Sequence, residues 1–318
     1  MRTLLLALVT AALAAGALAE PNTMAQVAFS RDGNIFVADL REGTERAVTD
    51  DGAPMGPGAT TYACPTFVDR NIVMFMSWTF DDQGALAGSR LHAGVAADEP
   101  QITTWEEVVQ PLGLGAIAYD QIVFLEMDGE PEDPFGAELH VSIINSEGHI
   151  LPTDITTWYG DVSPHVARLR VSDEGDLITL PRWPTDVSSP YAVRDIANDR
   201  ELDLIPDDLL GAVLLRSVDF DNDAAYGVLE VIGEVPEMVT GLYRLDLDGR
   251  AHQLIAQLDG AALLAVDEDE GIAIVSTGER ELYVVDLQSG EATYLTDGLD
   301  PDIISQPAEE AQPPDAED

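Results

Sequence analysis

"LYVVDLQSGEATYLTD", residues 282–297, repeats a phrase met near the start of the chain, "IFVADLREGTERAVTD", residues 35–50. Aligned without a gap, the two share Val37 with Val284, Asp39 with Asp286, Leu40 with Leu287 and Gly43 with Gly290. Both close on the pair Thr-Asp, as Thr49-Asp50 and Thr296-Asp297. Each begins with an aliphatic and aromatic run suited to a strand, turns through a polar Asp-to-Gly segment and resumes as a second short run. A hairpin of this size cannot bury its apolar face alone, so its recurrence points to an array of stacked units.

A third copy, "LYRLDLDGRAHQLI" at 242–255, carries Asp246 in the place of Asp39 and Asp286. Weaker copies lie between: "SPYAVRDIANDRELDLIPDD" with Asp195 in the repeated position, "AELHVSIINSEGHILPTD" and "SRLHAGVAADEPQITT". Corresponding strands near residues 36, 92, 140, 193, 244 and 284 make six units spaced by roughly 40 to 55 residues, the period of propeller blades. The last unit reads as four strands: "ALLAVDEDE" inner, "GIAIVSTG" second, "ELYVVDL" third and "EATYLTD" outer. The first unit opens on "QVAFSRDG", which matches a second strand and leaves the inner place empty. "LDPDIIS" follows the sixth unit with nothing to pair with. Residues about 301–305 are therefore expected to complete the first blade and remove the free edge. The fold predicted is all-β, a six-bladed propeller of four-stranded antiparallel blades whose ring is closed by a C-terminal strand.

The string "VAFSRDGNIFVADLREGTERAVTDDG" and its later copies resemble the TolB-type (WD40-like, PD40) β-propeller repeat. That pattern runs from an aliphatic strand through a Gly turn to an aromatic-aliphatic strand ending Asp-Leu, then Gly, then Leu-Thr. The resemblance covers nearly the whole mature chain, strongly at both ends and weakly in the middle. It implies a periplasmic six-bladed propeller that works by binding.

The chain begins "MRTLLLALVTAALAAGALAE", with Arg2, an apolar run and the small-residue motif Ala17-Leu18-Ala19. These are the parts of a secretory signal peptide, residues 1–19, cleaved after Ala19. The propeller is then assigned to residues 20–305, and the acidic, Pro-rich "QPAEEAQPPDAED", residues 306–318, to a disordered tail. No later segment approaches the roughly 20 apolar residues that cross a bilayer, so membrane insertion is not expected. The single cysteine, Cys64, allows no internal disulfide and reads as a small buried strand residue. The product expected is a soluble periplasmic or secreted monomer.

Charge narrows the partners further. There are 59 acidic residues against 15 basic, a net charge of −44, and every basic residue is arginine. Such a chain repels nucleic acid and anionic membrane surfaces. Its self-repulsion is relieved by salt, as adaptation to a saline environment would require. The missing lysine removes P-loop nucleotide binding, Schiff-base chemistry and the kinase phosphate anchor. There is no Gly-x-Ser-x-Gly elbow. "GLGAIA", Gly113 to Ala118, formally fits a dinucleotide fingerprint, but "YDQIVFLEM" after it reads as a strand where a helix is required. His92 and His140 stand where other units have Phe36, Tyr243 and Tyr283, so a repeat position explains them. No catalytic set emerges, and a non-catalytic binding scaffold is the reading preferred.

One stretch has the spacing of a cation loop. In "DFDNDAAYGVLE", Asp219, Asp221, Asp223 and Glu230 occupy positions 1, 3, 5 and 12 of a calcium loop. Ala224 replaces the glycine of the sharp turn and both flanks read as strands, so an acidic hairpin turn explains the stretch equally. No other cofactor is indicated. A partner surface is suggested by the links between second and third strands. They are short in the first and sixth units but lengthen in the middle four: "TFDDQGALAGS", "MDGEPEDPFGA", "PRWPTDVSSP" and "EVPEMVTG". All such links emerge on one face of a propeller. There they would present Phe80, Asp81, Asp82, Asp133, Phe135, Trp183, Pro184 and Met238 to a protein or cell-envelope component. Two alternatives share the fold: a metal-dependent six-bladed propeller hydrolase or lactonase, and a carbohydrate-binding propeller.

Overall fold

The computed structural model describes residues 25–69, 72–95, 101–105, 111–117, 121–128, 138–145, 150–153, 169–172, 177–181, 191–195, 198, 200–205, 209, 211–221, 224–236, 238–247 and 252–304. The expected signal peptide and acidic tail lie outside these. Every regular element of four or more described residues is a β-strand. The first sheet contains β1 (Gln26–Arg31), β2 (Asn34–Asp39) and β3 (Thr44–Ala47); the second contains β4 (Thr60–Asp69), β5 (Ile72–Phe80), β6 (Leu86–Val95) and β7 (Gln101–Trp105). The third runs from β8 (Pro111–Ile117) through β9 (Gln121–Asp128) and β10 (Glu138–Asn145) to β11 (Ile150–Thr153). A fourth has β12 (Leu177–Pro181), β13 (Tyr191–Asp195) and β14 (Arg200–Leu202). The fifth is β15 (Val213–Asp221), β16 (Ala224–Val231), β17 (Gly241–Leu245) and β18 (His252–Gln257). The sixth is β19 (Ala261–Asp267), β20 (Ile272–Thr277), β21 (Glu281–Asp286) and β22 (Ala292–Asp297).

The last strand, β23 (Leu299–Ile304), returns to the first sheet and pairs antiparallel with β1 in the order β23-β1-β2-β3. The ring closes as the orphaned "QVAFSRDG" required, with the closing strand starting two residues earlier than expected. Blade number differs from the sequence reading. Among the described residues, five sheets have four strands and the fourth has three, so there are five complete four-stranded blades rather than six. In the fourth unit, the described part of the inner segment is only Leu169–Ser172. It meets β12 through one bridge, Val171 to Ile178, flanked by the bonds Ser172 N to Leu177 O and Thr179 N to Arg170 O.

Period-two alternation explains how the blades stack, because successive side chains of a strand point to opposite faces. On β1, Val27 and Phe29 pack against Ala265, Ile274 and Leu282 of the sixth blade, whereas Ala28 packs with Tyr62, Phe67, Val73 and Phe75 of the second. On β20, Ile274 faces the first blade while Ala273 and Val275 face Tyr226, Val228 and Leu242 of the fifth. The second strands β1 and β20 thus bury both faces, and among the described residues the apolar core lies in layers between neighbouring blades.

The repeated phrase now has a physical cause. Asp39 and Asp286 end the third strands β2 and β21, where each carboxylate accepts backbone N–H bonds from the turn that follows. Asp39 Oδ1 takes Arg41 N at 3.0 Å and Glu42 N at 2.9 Å, and Asp286 Oδ1 takes Gln288 N at 3.0 Å and Ser289 N at 2.6 Å. Gly43 and Gly290 complete the turns in the left-handed region with φ of 61° and 72°. Asp195 does the same at the end of β13, accepting Asn198 N at 2.9 Å. Bonds from Ser289, its backbone first, hold the Asp286 carboxyl below the usual carboxylate range. The Asn198 side chain and then Arg200 do so for Asp195.

Candidate functional site

Strands alternate direction within each blade, so the described second-to-third and fourth-to-first links lie on one face. On that face a cavity of about 460 Å³ opens where blades one, two and six meet. Its walls are the β1–β2 turn at Asp32-Gly33, the β20–β21 turn at Glu279-Arg280, Met55 from the link leading to the second blade, and Tyr62 on β4. Arg31 forms part of the lining. Both its terminal nitrogens donate to the Glu45 carboxylate, Nη1 also donates to Thr296 Oγ1 at 3.2 Å, and the guanidinium lies 4.1 Å from the Phe36 ring centroid. It therefore welds the first blade to the sixth. Arg280 is exposed, with φ of 66°, and Met55 is 54% exposed. Tyr62 is buried, and burial together with a hydrogen bond to Asp51 pushes its phenol up to about 12.

This cavity is framed by the first and sixth units, whose second-to-third links are short, whereas the sequence pointed to the four longer links between them. A signal was present in the close likeness of those units, but nothing in their spacing says that three blades leave a gap there.

Towards the interior, the inner strands are joined by charges. Arg170, 8% exposed, extends from the fourth unit to three other blades. Its Nη1 donates to Asp302 Oδ1 at 2.8 Å, and its Nη2 donates to the carbonyl of Pro301 at 2.8 Å and to that of Leu264; Nε stands 3.6 Å from Asp219 Oδ1. Burial opposes its charge, but Asp219, Asp302 and Asp300 outweigh that and hold the guanidinium above its ordinary value. The same acids serve the backbone. Asp219 Oδ2 accepts Val266 N at 2.9 Å, Asp302 Oδ2 accepts Phe67 N at 2.7 Å and Asp300 Oδ2 accepts Cys64 N at 2.7 Å.

Several residues singled out by sequence take different settings. Asp219 is buried in the Arg170 network, whereas Glu230 is paired with Arg216. They sit at different levels of the β15–β16 hairpin, since Asp219 lies opposite Tyr226 and Glu230 opposite Leu214. Asp221 ends β15, and Asp223 lies outside the described residues. The stretch is a strand-to-strand hairpin, and it does not bring Asp219 and Glu230 together. Among the described residues, no group of three or more His, Cys, Asp or Glu could hold a metal ion.

Phe80 and Met238 are half-buried and pack against core clusters rather than standing free. Asp81 and Asp82 are exposed at the β5–β6 tip. That link is tight because Asp81 Oδ1 accepts Gln83 N and Ala85 N at 2.8 and 2.9 Å, so most of "TFDDQGALAGS" is strand. Asp133, Phe135, Trp183 and Pro184 lie outside the described residues. "GLGAIA" falls almost wholly on β8 and leads to strand β9. His92 keeps its repeat position on β6, buried against Phe75, with Nδ1 and Nε2 within 2.9 and 2.8 Å of the Thr104 and Ser77 hydroxyls.

Blades of antiparallel strands arranged by sequence order, with the last strand of the chain completing the first blade, define a β-propeller. Its fold is TolB-like: the chain is similar to the crystal structure of TolB from Acinetobacter baumannii, with a TM-score of 0.55 and 10% identity over 88% of this chain and 66% of that one. It is also similar to the putative TolB from Agrobacterium tumefaciens, with a TM-score of 0.55 and 11% identity over 89% of this chain and 98% of that one. An oligogalacturonate lyase solved in complex with manganese has a TM-score of 0.51 and 13% identity over 83% of this chain and 70% of that one. At these identities the likeness is one of fold. No protein-family model matches the sequence, and no curated protein matches it. No helix among the described residues is long and apolar enough to cross a membrane.

Proposed function

We propose that the chain is an exported, non-catalytic TolB-like propeller that binds a protein or other cell-envelope component through the face carrying its second-to-third and fourth-to-first links. The observation that carries this reading is the cavity at the junction of blades one, two and six. It opens on that face and combines the exposed Met55 and Arg280 with the acidic turns at Asp32 and Glu279. An exposed methionine beside an exposed guanidinium suits protein recognition, where such side chains contribute binding energy out of proportion to their number.

Arg170 favours binding over the metal-dependent alternative. A propeller hydrolase of that kind would use acidic side chains of the inner strands to hold its ion, and here Asp219 and Asp302 have a guanidinium between them.

The test is capture from a cell-envelope extract by the full mature chain, comparing wild type with Met55→Asp and Arg280→Glu. Loss of the same captured component by both variants, with unchanged melting temperatures, is expected. Equal capture by all three proteins would overturn the assignment of this face. Cell fractionation of a tagged chain checks export, and recovery of the tag in the cytoplasm alone would overturn it.

A further inference from the structure

The four oxygens around Arg170 form an unusual set. Two are carboxylate oxygens, from Asp219 and Asp302, and two are main-chain carbonyls, from Leu264 and Pro301. Carboxylates combined with backbone carbonyls are the donors that hard divalent cations take. A guanidinium meets the same set with forked N–H donors and a charge that never titrates away. The donors come from β15, β19 and β23, while the arginine comes from the fourth unit. One side chain therefore ties four units together from inside the ring.

β23 depends on this tie more than the others do. Each of the inner strands β4, β8, β15 and β19 is followed within five residues by the strand it pairs with. β23 comes from the opposite end of the chain and joins its blade through a ladder with β1 that has a register shift between Ala28 and Ser30. Two consecutive residues of β23, Pro301 and Asp302, bind Arg170. In a chain of net charge −44, inner-strand carboxylates brought this close would repel one another without a cation among them.

We infer that Arg170 is a built-in axial cation that takes the place of a bound metal ion and locks the closing strand β23 into the ring.

Replacement by alanine leaves the oxygen cage without its cation and opens room for a small one. Arg170→Ala should lower the melting temperature on the order of 10 °C, as loss of one partner of a buried ion pair does. Amides of residues 299–304 should exchange with deuterium faster than those of β20, because the lock has gone while the inter-blade core remains. In a constant background of about 0.5 M NaCl, which screens the general repulsion equally in both proteins, calcium or guanidinium at about 10 mM should restore more than half of the lost melting temperature in the variant and leave wild type unchanged. Arg170→Lys, which keeps the charge without the fork, should fall between the two. It also supplies the measurement, together with Asp302→Asn, if the alanine variant does not fold.

An Arg170→Ala protein melting within about 2 °C of wild type would overturn the lock. So would uniform acceleration of exchange across β20 and β23. Failure of both cations to restore stability would overturn the cage.

Discussion

Cys64 and Asp300 both hold a left-handed backbone, with φ of 53° and 57°, and a 2.7 Å hydrogen bond from Cys64 N to Asp300 Oδ2 joins them across two blades. Each lies where its strand departs from regular pairing: β4 shifts register between Ala63 and Thr66, and β23 shifts against β1 between Ala28 and Ser30. Bulges turn a strand and re-aim its groups, and here two of them aim an amide and a carboxylate at each other. Asp300→Ala leaves a buried N–H without this acceptor and places alanine in a left-handed conformation, so a loss of about 2–3 kcal/mol is expected in chemical denaturation. Asp300→Asn, which tolerates that backbone and can still accept, should cost less.

Gly43 and Gly290 occupy the same place in the repeated turn, yet alanine should affect them unequally. A Cβ on Gly43 meets nothing within 4 Å, so Gly43→Ala carries only the left-handed backbone cost of about 1–2 kcal/mol. A Cβ on Gly290 falls 2.2 Å from the carbonyl oxygen of Ile255, a main-chain atom of the neighbouring blade. Gly290→Ala should therefore lower the melting temperature at least twice as far. Equal shifts in paired thermal melts would refute this account of the closer approach.

Tyr62 should be late among the tyrosines to ionise. Its raised pKa, about 12, arises from burial and then from Asp51, and the ordinary value is near 10. Because the folded value is the higher one, the associated stability is fully present below pH 10 and is lost as pH rises through about 12. Ultraviolet titration of wild type against Tyr62→Phe should show the missing phenolate only at the alkaline end. The variant should also lose less stability over that interval.

Salt should raise the melting temperature. With 59 acidic and 15 basic residues, self-repulsion among exposed carboxylates is screened as ionic strength increases. The gain should come mainly below about 0.5 M NaCl, where the Debye length falls fastest. A flat profile in differential scanning fluorimetry would refute the view that this repulsion limits stability.

The sequence by itself determined the order of strands within each blade and the closing of the ring, but not that the fourth sheet has three strands among the described residues. Those features follow from local causes: period-two alternation, an Asp that caps its own turn and a Gly that supplies the positive φ. Even the missing inner strand of the first unit could be read, because an unpaired "LDPDII" had to find an edge. Tertiary structure decided what the same letters do at a distance. Nothing near Arg170 in sequence announces that its partners are Asp219, Leu264, Pro301 and Asp302, since these residues meet only when the ring has formed. Asp219, conspicuous in a calcium-like spacing, is instead buried beside Arg170, whose charge offsets the cost of taking the carboxylate out of water. The cavity at Met55, Tyr62 and Arg280 is likewise a property of three blades meeting, and a gap between packed units leaves no periodicity in the chain that builds it.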